Sequence, residues 1–186
     1  MLKPKRQKSC KTCGEKFTPF NSMQATCPTA ACAVPHGKKL QAKEYKAETK
    51  RLKDKVKTRS DWLKDAQKAF NAFIRARDKN LPCISCGTTD GINEALTGGY
   101  FDCGHYRSVG SAPELRFHEL NAAKQCKRCN RQLSGNIVDY RINLVHRITE
   151  TELIWLEGHH KAQKWTIDDL IDIKEYYKDK LKSLSS

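Results

Sequence analysis

The stretch Phe101-Asp102-Cys103-Gly104-His105-Tyr106, joined further on by Asn121 and by Gln125-Cys126-Lys127-Arg128-Cys129-Asn130, decides how this chain is read. Cys126 and Cys129 form a Cys-x2-Cys knuckle. An earlier knuckle, Cys83-Ile84-Ser85-Cys86, precedes it with 39 residues between them. Each knuckle presents two thiolates from one tight turn, so the pair closes the tetrahedral shell of a Zn2+ ion. A shell of four thiolates leaves no open position for water. This zinc is therefore expected to staple the fold, and any chemistry must come from other residues. Gly98-Gly99 and Gly104 suit a turn and a kinked strand ahead of His105.

A second quartet lies near the start of the chain: Cys10, Cys13, Cys27 and Cys32. Its surroundings are rich in turn formers (Gly14, Pro19, Asn21, Pro28, Pro35) and poor in apolar residues, which suits a zinc ribbon or knuckle. The chain has nine cysteines, so Cys103 is left over and is expected in the core. The basic stretch Met1–Gln7 is not followed by an apolar region, and no apolar run approaches the ~20 residues of a membrane span. The expected compartment is a reducing cytoplasm, where cysteines serve metal rather than disulfides.

Only 38% of the 186 residues are hydrophobic, and 35 Lys plus Arg outweigh 21 Asp plus Glu to give +14. Two four-thiolate zinc sites would lower that by about 2 charges each, to roughly +10. A single large core is not expected, and the surface suits a polyanion such as DNA or RNA.

The chain reads as four regions: a zinc segment over 1–37, a long basic helical region over 38–80, a module bracketed by the two later knuckles over 81–136, and a helical tail over 137–186. Lys38 to Asn80 has no Gly or Pro, and 15 of its 43 residues are Lys or Arg. Thr58 with Asp61, or Ser60, reads as a cap that divides it. Before that cap lies a solvated basic helix, able to follow a phosphate backbone, pair with a second subunit or serve as a spacer. After it, Trp62, Leu63, Ala66, Ala69, Phe70, Phe73 and Ile74 recur at helical spacing and should pack on the module. Asn121 and the second knuckle are expected near or on a helix start. Beyond them, Ile137, Tyr140, Ile142, Leu144, Val145 and Ile148 suggest one apolar helix face. Thr149 with Glu152 and Thr166 with Asp169 read as two more capping boxes, with Gly158 ending the first helix.

The order of a Cys pair, a Gly-His, an Asn and a Cys-x2-Cys-Asn resembles the ββα-metal, or HNH, endonuclease module. The strings Gly104-His105-Tyr106-Arg107, Leu115-Arg116-Phe117, Asn121, Gln125 to Asn130 and Gly135-Asn136 are closer still to the lambdoid phage NinG (Rap) recombination endonuclease family, over essentially the whole chain. The resemblance implies an α+β, mostly helical fold around a small zinc-stapled ββα-metal module, with an N-terminal zinc ribbon and flanking helices. It implies a divalent-metal-dependent endonuclease acting on branched DNA such as Holliday junctions and D-loops in a phage-infected bacterial cell. His105 matches the general base and Asn121 the asparagine that orients its loop. Asn130 matches a metal ligand through its side-chain oxygen, suited to Mg2+ or Mn2+. Many HNH proteins place a metal-binding Asp directly before the His, where this chain has Gly104. Asp102 is the nearest carboxylate and the candidate replacement. In a regular strand it faces away from His105, so a bulge at Gly104 is expected to bring the two together.

Arg107, Arg116, Lys124, Lys127, Arg128 and Arg131 surround the motif and are candidate phosphate contacts. A homodimer would match two-fold junctions, and other recombination proteins are candidate partners. The competing readings are a non-catalytic zinc-finger DNA-binding protein and a zinc-bound recombination scaffold. Neither of these needs His105 with Asn130.

Overall fold

Capping boxes set three of the helix starts. The computed structural model describes residues 6–89 and 99–184, so Gly98 and the first five residues of the basic N-terminal stretch lie outside it. The chain divides into two units, Met1–Lys57 and Thr58–Ser186.

In the first unit, strands β1 (Lys8–Ser9) and β2 (Lys16–Phe17) pair antiparallel around the Cys10–Cys13 knuckle. Helix α1 runs Ala30–Lys55 with Cys32 in its first turn. The expected 37/38 boundary therefore falls inside a helix. Pro35 and Gly37 suggest a break in sequence, yet Pro35 sits in the second turn, where one backbone bond is lost and the helix-forming run beyond it propagates back. Cys10, Phe17 and Cys32 make the buried cluster of this unit. So small a core would gain from a metal held by the cysteine quartet.

The second unit opens with α2 (Arg59–Arg77), its N-terminus capped by Thr58 and Asp61 reciprocally. The expected division at 80/81 does not separate α2 from the module, because the apolar stripe of α2 is the main wall of the module's core. Strand β3 (Phe101–His105) pairs antiparallel with β4 (Ala122–Cys126) in a one-to-one register from Phe101–Cys126 to His105–Ala122. A π-helical turn, Arg128–Gln132, comes after the strand, then α3 (Ile137–Leu144), α4 (Glu150–Glu157) and α5 (Ile167–Ser183). The α4 and α5 starts are the Thr149–Glu152 and Thr166–Asp169 boxes. The fold is α+β and mostly helical, with two two-stranded sheets among the described residues. Among the same residues no helix is long and apolar enough to cross a membrane.

The β3–β4 sheet lies between two apolar clusters. Cys103 and Ala122 join Trp62, Ala66, Phe70, Phe73, Ile74, Leu170 and Tyr177 on the α2–α5 side. Ala123 joins Ile84, Tyr106, Leu115, Tyr140, Leu144, Leu153 and Leu156 on the other. Both faces are covered, so all five residues of β4 are buried despite the helix-favouring composition Ala-Ala-Lys-Gln-Cys. Tertiary pairing overrides propensity there. Asn121 accordingly ends a short 3-10 turn before a strand, not a helix. Of the apolar face expected after residue 137, only Tyr140 and Leu144 are buried, while Ile137, Ile142 and Val145 stay exposed. One i, i+4 pair is all that a two-turn helix can turn inward.

A buried carboxylate ties α2 to the sheet. Asp78 accepts from Arg77 Nε and Nη2, at 2.7 and 3.0 Å, and from the Lys124 backbone N–H at 2.9 Å. Arg77 in turn donates to the carbonyls of Glu119 and Ala122, at 3.1 and 2.8 Å. These bonds satisfy the charges that the core would otherwise leave bare.

Candidate active site and its zinc staples

The two cysteine quartets are assembled as tetrahedral zinc requires. In each, the four sulfurs lie within 4.8 Å of one another. Cys86 Sγ is 3.7 Å from Cys126 Sγ, and Cys13 Sγ is 4.0 Å from Cys27 Sγ. Four Zn–S bonds of about 2.3 Å place sulfurs about 3.8 Å apart. Amide donors point at the sulfurs: Cys126 N–H to Cys83 Sγ (3.3 Å), Cys129 N–H to Cys126 Sγ (3.5 Å) and Thr12 N–H to Cys10 Sγ (3.4 Å). Such donors favour thiolate over thiol. Each quartet can therefore hold one structural zinc. Cys103 stands outside both, in the core, where burial pushes its thiol up to about 12.

His105 ends β3 and tilts its ring over Phe70 of α2, with centroids 5.8 Å apart. Its Nε2 lies 3.0 Å from the Arg116 carbonyl. A carbonyl only accepts, so Nε2 donates, and in the neutral ring Nδ1 is the unprotonated nitrogen. No described residue bonds to that Nδ1. Burial lowers the imidazole's pKa from 6.5, with the Arg116 charge acting in the same sense and the Arg116 carbonyl bond opposing. The ring is thus a neutral base at pH 7.

Asn121 fixes the loop that holds this ring. Fully buried, it accepts the Arg107 N–H (2.8 Å) on Oδ1 and donates from Nδ2 to the carbonyls of Arg107 (3.0 Å) and Leu115 (3.2 Å). Leu115 neighbours Arg116, whose carbonyl accepts the His105 Nε2–H hydrogen bond. Asn121 therefore positions the histidine through the backbone.

Asp102 and Asn130 meet directly. Asn130 Nδ2 donates to Asp102 Oδ2 at 3.2 Å, and Arg131 adds a two-pronged ion pair at 2.7 and 3.1 Å. Asn130 Oδ1 has no partner among the described residues. His105 and Asn130 line one open cleft of about 610 Å³ with Arg107, Ser134 and Glu157; Asp102 is not on its wall. The bulge expected at Gly104 does not form, because the register is unbroken. Instead, strand alternation puts positions 102 and 104 on one face and His105 on the other.

Gly104 has a steric reason. A Cβ there would stand 2.1 Å from Gln125 Oε1 and 2.9 Å from Gln125 Cβ. Gln125 is fully buried, with Nε2 donating to Ser85 Oγ (2.7 Å) and the Gly135 carbonyl (2.6 Å), while Oε1 has no conventional donor. No carboxylate can occupy this position without displacing the glutamine. Gly104→Ala is expected to destabilise the unit by about 1–3 kcal/mol through overpacking. Denaturant unfolding with zinc content held constant measures it; an unchanged midpoint would contradict the packing account.

The six candidate phosphate contacts separate. Arg128 is exposed, and Arg131 is exposed but engaged with Asp102. Arg107 donates to the carbonyls of Leu156 and Gly158, at 3.2 and 2.8 Å, at the end of α4. Arg116 bonds Gln67 Oε1 at 3.1 Å. Lys124 and Lys127 are buried, Lys124 6% exposed, so neither forms part of the outer surface. Lys124 Nζ donates to the Lys79 carbonyl at 2.9 Å and sits 4.5 Å above the Phe101 ring. The covered sheet encloses it, a burial that charge alone does not announce. Glu157 escaped sequence reasoning; it accepts from Tyr106 Oη and Arg141 Nε, both at 2.6 Å, and the α4 box with its Gly158 stop places it at a helix end.

A family model described as Bacteriophage Lambda NinG protein matches residues 1–186. Protein ninG of Escherichia phage 933W is 43% identical over 201 residues, covering 99% of this chain and 96% of that protein. Protein ninG of Escherichia phage lambda is 49% identical over 129 residues, 69% of this chain and 60% of that protein. Protein ninG of Salmonella phage P22 matches with the same identity and coverage. No solved structure matches. With the family model spanning every residue from the first quartet to the last helix, the chain belongs to the Bacteriophage Lambda NinG protein family.

Proposed function

We propose that this chain is a divalent-metal-dependent DNA endonuclease of the HNH type that incises branched recombination intermediates, Holliday junctions and D-loops among them. The observation that carries the reading is His105: Nε2 is held by the Arg116 carbonyl, Nδ1 is left as the base, and the residue shares a cleft with Asn130. A neutral imidazole so held can take a proton from an attacking water. Asp102 and the unpartnered Asn130 Oδ1 would hold Mg2+ or Mn2+, leaving the remaining positions to water and phosphate. The cation would stabilise charge on the phosphate and on the leaving oxygen. Asp102 shares the face of Gly104, two residues or roughly 7 Å along the strand. It replaces the missing carboxylate from that side, and Arg131 would swing from it to a phosphate. The branched substrate, a recombination role and a dimer are drawn from the resemblance and from the +14 charge.

Asp102→Ala and Asn130→Ala should each lower cleavage at least tenfold at 1 mM-scale metal, an order typical of losing one ligand or its support. Raising Mn2+ should recover part of the loss. Loss that is independent of metal concentration would remove the ligand assignment.

The pH profile gives a second test. His105 works as its neutral form, and its folded pKa lies below 6.5. Cleavage should therefore rise with pH on the acid side, with the midpoint of the rise below pH 6.5. Between that pKa and 6.5 the unfolded chain binds the proton more readily, so His105's contribution to stability falls as pH drops through the same window. A limb centred above pH 7 would contradict this assignment.

A further inference from the structure

A second groove lies on α2. Its wall includes Lys64, Gln67, Lys68, Asn71 and Arg75, with Arg116 from the loop opposite. Positions 64, 67, 68, 71 and 75 recur at i, i+3, i+4, i+7 and i+11, one stripe of the helix, while Trp62, Ala66, Phe70 and Phe73 turn the other side to the core. Lys64, Lys68 and Arg75 form no ion pair within 4 Å among the described residues. The two acids of α2 are engaged elsewhere: Asp61 with Thr58, and Asp65 with Lys174 at 3.2 Å. Gln67 Nε2 donates to Asn71 Oδ1 (2.7 Å), and Arg116 Nη1 donates to Gln67 Oε1 (3.1 Å). This amide chain holds the Arg116 guanidinium at the groove while the Arg116 carbonyl holds His105.

We propose that this stripe is a phosphate track that seats a duplex DNA arm and leads one strand toward His105. The proposal rests on the nuclease reading for its direction, although binding itself can be measured without cleavage. Lys64 to Arg75 spans roughly 16 Å of helix, the rise of about five phosphates of one strand. Among the described residues no aromatic side chain lines the groove. Single-strand tracks stack bases on aromatic rings, so the occupant is a duplex read through its backbone. The groove's amides bond to each other and to Arg116, which ties them into the wall and leaves the three cations as its main contact with a ligand. The site would take arms of any sequence, as a shape-selective enzyme requires.

The test is the salt dependence of affinity for linear duplex and four-way junction, measured in EDTA so that cleavage does not enter. Lys64→Gln with Lys68→Gln should lower the slope of log K against log salt by about two, and adding Arg75→Gln by nearly three. The double variant changes only exposed side chains, so it reports even where the triple variant folds poorly. Lys178→Gln with Lys182→Gln on α5 removes the same charge elsewhere and should leave the slope unchanged. An unchanged slope in the α2 variants overturns the proposal. So does an equal fall in the α5 variants, or a fall confined to single-stranded DNA. Should the wild-type chain bind with the expected slope yet never cut, the nuclease reading fails and the track stands.

Discussion

Cys126→Ser is expected to release one zinc ion per chain and to abolish cooperative unfolding of the unit that begins at Thr58. Cys126 closes β4 opposite Phe101, with its sulfur 3.7 Å from Cys86 Sγ and its backbone N–H on Cys83 Sγ. It is at once a ladder residue, a ligand and a member of the buried cluster with Cys83 and Cys129. Structural zinc contributes about 10–16 kcal/mol in small domains, against a whole-domain stability of about 5–15 kcal/mol. Losing one thiolate of four removes enough of that to unfold the sheet on which His105 stands. Metal analysis should return one zinc instead of two, and circular dichroism should show no sharp transition for this unit. A variant that retains two zinc ions and melts as the parent does would mean that this quartet is not a staple.

His105→Ala is expected to lower cleavage by about 10²–10⁴, the usual yield of a positioned general base. Zinc content and junction affinity in EDTA should stay at the parental level. The residue is distant in role from both quartets, and its ring contributes one contact with Phe70 and one backbone hydrogen bond. The cost in stability should therefore be about 1 kcal/mol. Activity that survives the substitution would mean the base lies elsewhere.

Much of the fold is readable in the residues. Thr58–Asp61, Thr149–Glu152 and Thr166–Asp169 are local signals, and each stands at the helix start it announces. Both cysteine quartets come from spacing alone, since a knuckle is a property of one turn. The features that escape depend on distant parts of the chain. The strand at Ala122–Cys126 has helix-forming residues and is a strand only because β3 and the two clusters enclose it. The same enclosure withdraws Lys124 and Lys127 from the surface. Gly104 looks like a flaw in the motif, whereas Gln125 fills the space a side chain would need. Asp102 looks badly placed for want of a bulge, yet it meets Asn130 from the face that Gly104 shares. The cations of α2 lie outside the motif, and only the fold sets them beside Arg116.

We propose that this basic chain, with zinc in its two cysteine quartets, cuts DNA with a second, exchangeable metal. Incubation of the purified chain with synthetic four-way junctions, D-loops and linear duplex, in Mg2+, Mn2+ or EDTA, tests it most directly. Incision of the branched substrates is expected in Mg2+ or Mn2+, and none in a short EDTA incubation that leaves two zinc ions bound. Tight binding to the same DNA with no incision under any metal would contradict it.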